Sequence, residues 1–231
     1  MRIKICFFIA VHFLFACGKD KVRSTQVELA VYNVSPNAGS LQVQQNLIPI
    51  GGTYNYLQGL LQPGSNYVLA DSGFNNYKVK RGTDEILNFL LSNSTNKCSL
   101  FLFDTITKLR YVLVNDNLDT PGRAFAKVRV LHLAPDVDTF NLAFDNGFVQ
   151  NSGVNVDWIY YSQDVLARTG LNNYFNVNAG SYTLLFRRKN PQVNLKSYQI
   201  KLDSNKIYSI VLKGYKDRTA RDSLSLSVIQ H

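Results

Sequence analysis

The sequence predicts an all-β protein: two tandem antiparallel immunoglobulin-like β-sandwich domains after a lipoprotein signal peptide. Three observations carry that expectation. Apolar and polar residues alternate over short runs, the period of a half-buried strand. Turn-forming Gly, Pro, Asn and Asp recur every ~8–12 residues, the spacing of a sandwich rather than of βαβ units. A set of strand-like blocks also occurs twice in the same order. Composition agrees: 45% of the 231 residues are hydrophobic, enough for a core, and 13 Tyr and 14 Phe suit strand positions. A disordered tail, a collagen-like repeat and a disulfide-rich miniprotein are excluded.

The chain begins with the basic Met1-Arg2-Ile3-Lys4 and an apolar run, Ile5 to Phe15, interrupted by His12. That run is too short to span a bilayer, which takes ~20 apolar residues. A basic start, a short apolar run and a small residue describe a secretory signal peptide over 1–16. Leu14-Phe15-Ala16-Cys17 resembles the bacterial lipobox. The resemblance implies acylation of the Cys17 thiol, cleavage just before it, and a lipidated tether over 17–26. One acyl chain holds a protein only marginally, whereas two or three hold it durably. The expected location is therefore the cell envelope, with the membrane as a partner through the lipid on Cys17. Gly18 rather than Asp after Cys17 points to the outer membrane by enterobacterial sorting. No later stretch reaches 18 consecutive apolar residues. Maturation would remove Arg2 and Lys4 and lower the net charge from +9 to +7. It would also remove Cys6, leaving Cys98 without a disulfide partner. Cys98 lies in the apolar run Lys97 to Phe103 and reads as a buried structural residue.

The repeat defines the domains. Ala30 to Asn37 matches Arg129 to Asp136 at a shift of 99, each a strand ending in a Pro turn. Leu41-Gln42-Val43 then matches Phe140-Asn141-Leu142. Pro63 to Leu69 is aligned with Ala179 to Leu185, each a Gly turn before an aromatic strand. Cys98 to Leu102 matches Tyr208 to Leu212 at a shift of 110, and Tyr111 to Val114 pairs with Leu224 to Val228. The domains are placed at 27–116 and 127–231, with 117–126 as a linker rich in turn formers. Each strand should bury one face and wet the other. Ser162 to Arg168 is the best helical candidate. Asp145-Asn146-Gly147 and Asp203-Ser204-Asn205 read as hairpin turns.

Val128-Arg129-Val130-Leu131-His132-Leu133-Ala134-Pro135-Asp136 resembles the opening motif of domain of unknown function 4397. Ala179-Gly180-Ser181-Tyr182-Thr183-Leu184 is similar to a later block of that family. The first repeat diverges, with Asn33 at the His position and Asn37 at the Asp position. The resemblance implies a β-sandwich of secreted and envelope proteins, often lipoproteins of the Bacteroidetes type. It carries no catalytic residues.

Chemistry is thinly represented. Of three His, His12 leaves with the signal peptide and His231 ends the chain, so His132 is the internal one. It reads as a strand-end residue bonding a turn carbonyl near Pro135. One His and one Cys cannot supply a zinc site. Asp136, Asp138 and Asp145 with Asn141 and Asn146 lack a calcium-loop pattern and read as turn residues. Glu is confined to Glu28 and Glu85, so no carboxylate pair stands out for glycoside hydrolysis. No phosphate-binding Gly motif occurs. No catalytic residue, cofactor, metal or nucleic-acid partner is therefore expected. Charge concentrates in 127–231, at 13 basic against eight acidic residues, with dense runs at Arg187-Arg188-Lys189 and from Lys213 to Arg221.

The expected function is a non-enzymatic binding or scaffold module on a lipid tether, with an envelope protein or glycan as partner. The alternative is a surface glycan-binding lipoprotein. Its contacts would be Trp158, Tyr160, Tyr161, Arg187 and Arg188, an aromatic and basic face of the second domain. A third reading, an enzyme at the domain junction, requires His132 to meet a carboxylate in a pocket.

Overall fold

The computed structural model describes residues 26–58, 60–62, 67–93, 96–137, 140–145, 155–159, 171–188, 193–218 and 223–231. These residues form strands and, at Ile106–Lys108, one 3-10 turn. The first sandwich has an inner sheet in the order β5 (Val68–Asp71), β1 (Gln26–Asn33), β8 (Lys97–Phe103), β9 (Arg110–Asn115). Its outer sheet runs β3 (Ile48–Tyr54), β2 (Leu41–Gln45), β6 (Gly73–Arg81), β7 (Asp84–Asn93). The second inner sheet runs β13 (Phe175–Asn178), β10 (Phe125–His132), β16 (Ile207–Lys213), β17 (Ser225–Gln230). The second outer sheet runs β12 (Asn155–Ile159), β11 (Phe140–Asp145), β14 (Gly180–Arg188), β15 (Val193–Leu202). The two halves thus share one strand order. Within these four strand orders pairing is antiparallel except that β1 with β8, and β10 with β16, run parallel.

Each sandwich closes on its own core. Val27, Leu29 and Val31 of β1, with Cys98, Leu100 and Leu102 of β8, face Leu41, Val43, Tyr77, Val79 and Phe89 of the outer sheet. In the second half Val128, Tyr208, Ile210 and Leu212 face Phe140, Leu142, Phe144, Leu184 and Phe186. Full burial stabilises each such side chain by about 1.5–3 kcal/mol, which makes these cores the main driving force.

The inner sheets depart from the expected one-dry, one-wet pattern. Their second faces meet each other: Ala30, Tyr32, Phe101, Phe103, Val112 and Val114 pack against Leu131, Leu133, Val211 and Ile229. The result is a four-layer stack, outer–inner–inner–outer. Strand β16 is buried at every position and β8 at all but its first. A sheet covered on both faces selects apolar residues at successive positions, which is why Ser99 to Phe103 and Ile207 to Leu212 do not alternate. A two-residue strand from the first half, β4 (Leu61–Gln62), adds in parallel to β17 and extends the second inner sheet.

Three sequence assignments change. The register Gln42↔Lys80 and Asn141↔Arg187 equates β6 with β14 at a shift of 107, so the partner of Gly180 is Gly73, not Gly64. Val68 and Leu69, the described strand residues of that block, instead belong to β5, the counterpart of β13. In the sequence a Gly shortly before an aromatic residue occurs at Gly64 to Tyr67 and again at Gly73-Phe74, so local pattern alone could not separate them. Strand β10 begins at Phe125, inside the segment read as linker, and β1 begins at Gln26. Asp203-Ser204-Asn205 does form a turn, with Asn205 at φ 60, but it carries the chain from outer β15 to inner β16 rather than closing a hairpin. The helical candidate Ser162 to Arg168 lies outside the described residues.

Candidate functional site

Polar side chains at the junction of the two inner sheets form the most elaborate site among the described residues. Arg129 is an arginine between Val128 and Val130, and it is fully buried. Burying a guanidinium is tolerable only when it is paired and its donors are met. Nη2 donates to Asp116 Oδ1 at 2.5 Å, Nη1 to the Asn115 carbonyl at 2.9 Å, and Nε to Ser209 Oγ at 2.7 Å. Its carbon centre lies 5.0 Å above the Tyr174 ring, a cation–π contact. On Asp116, Oδ2 accepts from Ser99 Oγ at 2.6 Å and from the Tyr67 hydroxyl at 2.8 Å.

His231 completes this network. Ser209 Oγ lies 2.7 Å from His231 Nε2, and Tyr67 Oη lies 3.5 Å from Nδ1. Burial first, and the Arg129 charge second, push the imidazole down to about 4, against a smaller opposing pull from Asp116. The ring is therefore neutral at pH 7. Ser209 Oγ and His231 Nε2 share one hydrogen bond. Ser99–Asp116 and Ser209–His231 occupy matched positions in the two repeats, so one hydroxyl device is used twice with different partners. Ser209 sits beside a histidine as a hydrolase serine would, but it is fully buried and also accepts from Arg129. An open groove of about 380 Å³ lies over this end, between Asn96–Lys97 and Asn115–Asp119. Asp116 forms part of its wall, with both carboxylate oxygens already accepting bonds.

The junction has a second polar end. Lys213, 3% exposed, donates to the Tyr56 hydroxyl at 2.8 Å and lies 4.4 Å above that ring. Tyr215 donates to Asp104 at 2.6 Å, and Arg110 pairs with the same carboxylate at 3.3 Å. The basic run from Lys213 to Arg221 is thus partly spent inside the protein. Lys213 faces the first sandwich, the Lys216 backbone N–H donates to Asp136, and Arg218 covers the Tyr215 ring.

The motif residues have a separate task. His132 is buried against Phe140, with ring centres 4.9 Å apart. Its Nδ1 accepts from the Ala134 N–H at 3.3 Å and its Nε2 donates to the Val137 carbonyl at 2.9 Å, clamping the turn around Pro135. Asn33 repeats this: its Oδ1 accepts from the Ser35 N–H at 3.1 Å, and its Nδ2 donates to the Gly39 carbonyl at 2.7 Å. Asp136 and Asn37 are likewise equivalent. Asp136 accepts from the Lys216 N–H at 2.9 Å, and Asn37 from the Ile106 N–H at 2.9 Å. The family model for a domain of unknown function, DUF4397, matches residues 27–143, just over half of the chain. The chain belongs to the DUF4397 family. The DUF4397 match opens in β1 and closes in β11, so it takes in the first sandwich and both clamps, while the block at 179–184 lies beyond it.

No curated protein matches this DUF4397 chain. Among solved structures it is similar to a leucine-rich repeat protein from Bacteroides thetaiotaomicron, at 12% identity over 80% of this chain and TM-score 0.23. The chain spans only 25% of that protein. A putative cell adhesion protein from Bacteroides ovatus matches at 9% identity, over 89% of this chain and 96% of that one, TM-score 0.27. A family 26 carbohydrate-binding module from Eubacterium rectale, solved with maltoheptaose, matches at 10% identity over 86% of this chain and all of that one, TM-score 0.23.

Of the contact residues singled out from sequence, those described lie on the second outer sheet. Cys17, Tyr160 and Tyr161 lie outside the described residues. Trp158 is on β12, an edge strand of the second outer sheet, and Arg187 and Arg188 end β14. Among the described residues no three His, Cys, Asp or Glu side chains gather to hold a metal ion. Sequence reasoning missed Arg129, Asp116, Ser209 and His231. The available signal was a polar residue inside an apolar run, at Arg129 and again at Ser209.

Proposed function

We propose that the protein is a lipid-anchored cell-envelope protein serving as a non-enzymatic binding or scaffold module. The junction carries this reading. Domains joined by small polar contacts are expected to move against each other, whereas a large apolar interface holds them still. Here Tyr32, Phe101, Leu131, Val211 and Ile229 join the inner sheets, with buried polar clusters at both ends. Such a body keeps its loops at fixed separations, the property a presenting scaffold needs. His132, packed and committed to its turn, supports a structural role over catalysis. The anchor rests on Leu14-Phe15-Ala16-Cys17.

The test is cell fractionation of the protein and of its Cys17→Ser variant, with mass spectrometry of the mature N-terminal peptide. An acylated Cys17 and release of the variant from membranes are expected. An unmodified Cys17, with the variant fractionating like the parent, would overturn the reading.

A glycan-binding role is the second reading, and a register relationship favours it. Phe140 of β11 pairs with Ile159 on one side and with Arg188 on the other. Strand β11 alone therefore separates β12, which carries Trp158, from β14, which ends in Arg187 and Arg188. Saturable binding on a glycan array that disappears in Trp158→Ala would promote this reading over the first.

A further inference from the structure

Four large apolar residues stand exposed at one end of the first outer sheet. Leu47 in the β2–β3 turn and Ile48, first in β3, are 69% and 66% exposed. Phe74, second in β6, is 85% exposed, and Leu90 of β7 is 69% exposed. Asn76 pairs with Leu90 and Phe74 with Ser92, which makes Phe74 and Leu90 diagonal neighbours. Strand β2 lies directly beside β6, and the Asn46 N–H donates to the Asn76 carbonyl at 2.8 Å. No charged residue occurs in Asn46–Pro49, Ser72–Asn76 or Leu90–Asn93.

Folding does not account for Leu47. Asn46 and Leu47 both have positive φ, 49° and 72°. Two-residue turns of this kind favour Asn-Gly, because Gly adopts the second conformation without steric cost. Here a branched side chain takes that place and is held out into solvent. Strain kept at an exposed tip points to use of the tip.

The chain enters the fold at the same end. Gln26 opens β1 opposite Asp71. The backbone N–H and carbonyl of Asp71 both bond the Gln45 side chain at 2.8 Å, two residues from Leu47. Phe74 follows Asp71 by three residues. From Cys17 to Gln26 the chain can extend at most about 30 Å. It contains Lys19, Lys21 and Arg23 against Asp20, a balance suited to anionic headgroups.

We propose that Leu47, Ile48, Phe74 and Leu90 rest in the headgroup region of the bilayer that holds the anchor, fixing the long axis of the stack relative to the membrane. Aliphatic and aromatic side chains on an uncharged rim partition into that layer. The inference rests on the lipid-anchor reading.

The test uses the mature lipidated protein in vesicles of phosphatidylethanolamine with a minority of phosphatidylglycerol. An environment-sensitive dye is attached at Leu47→Cys, and at Lys201→Cys as a control on exposed β15; Cys98 is buried and stays unlabelled. The expected result is a blue shift and several-fold stronger quenching by spin-labelled lipid at position 47 than at 201. Equal quenching at both positions, with the protein floating with the vesicles, overturns the tip contact and leaves the anchor standing. A protein that does not float with the vesicles overturns both. A blue shift without lipid quenching, together with a doubled mass in detergent, assigns the tip to a second copy of the chain and overturns the membrane contact.

Discussion

Arg129 of β10 and Asp116, the residue following β9, meet at 2.5 Å with neither side chain exposed. The pair ties the first residue after one sandwich to the first strand of the next. It also orders the groups around it, since Ser99, Tyr67, Ser209 and Asn115 all bond one partner or the other. Removing one member strands the opposite charge in a dry junction. Arg129→Met or Asp116→Leu alone should each destabilise the protein by about 3–5 kcal/mol. The double replacement should cost clearly less than the two losses added. Urea unfolding of the three variants measures this, and additive small effects would mean that the pair is solvated.

The His231 imidazole makes acid stability a property of the chain end. Its folded value, about 4, lies below the ordinary 6.5. Between these values the unfolded chain takes a proton that the folded chain refuses. The contribution is therefore complete above pH 6.5 and fades as pH falls toward 4. Its size is at most about 3 kcal/mol. His231→Gln should flatten the stability profile in that window relative to the parent, as read by thermal unfolding at stepped pH. Parallel profiles would show that the ring is solvated.

The two turn clamps predict an asymmetric tolerance. His132→Ala leaves the Ala134 N–H and the Val137 carbonyl unmatched, at a cost of about 1–3 kcal/mol. His132→Asn installs the residue that does the same work at position 33, and should recover part of that loss. The Phe140 ring contact stays missing in both variants. Equal destabilisation by Ala and Asn would show that the hydrogen bonds contribute little.

Cys98 should behave as an unfolding reporter. Burial pushes its thiol up to about 12, with a smaller push from Asp116. The nucleophilic thiolate is then scarce at pH 8, and the sulfur has no exposed surface. A thiol reagent should leave Cys98 unmodified in the native protein and modify it fully in denaturant. Rapid native labelling, read by peptide mass, would contradict the packing of β8.

The fold was legible where local pattern and global position agree. The strand that ends in Ser35-Pro36-Asn37 and its copy at Ala134-Pro135-Asp136 are marked by alternation and a Pro turn, and both are real. The match of Cys98 to Tyr208 likewise holds in register. The alignment of Gly64 with Gly180 failed because a Gly shortly before an aromatic residue is a local signal that recurs at Gly73-Phe74. Two-sided burial of the inner sheets was written in the continuous run of β16, but a lone sequence does not say what covers the second face. Nothing in the sequence around His231, the last residue given, marks it as buried. Here the last strand pairs along its length, and the terminal N–H itself donates to the Ile207 carbonyl at 2.9 Å. Of the proposed glycan contacts, Trp158, Arg187 and Arg188 fall on described strands, while Tyr160 and Tyr161 lie outside the described residues.

Strand β4 gives the chain something neither half has alone. Its two residues, Leu61 and Gln62, pair with Val228 and Ile229 along what would otherwise be the open border of the second inner sheet. An open border displays a row of unmet N–H and C=O groups and invites strand addition by another molecule. A fragment beginning at the linker would carry that border bare, beside an apolar face stripped of its cover. It should form strand-exchanged aggregates where the intact chain does not. The donated segment thus acts as a guard against self-association, and it protects the second repeat only while the first remains attached.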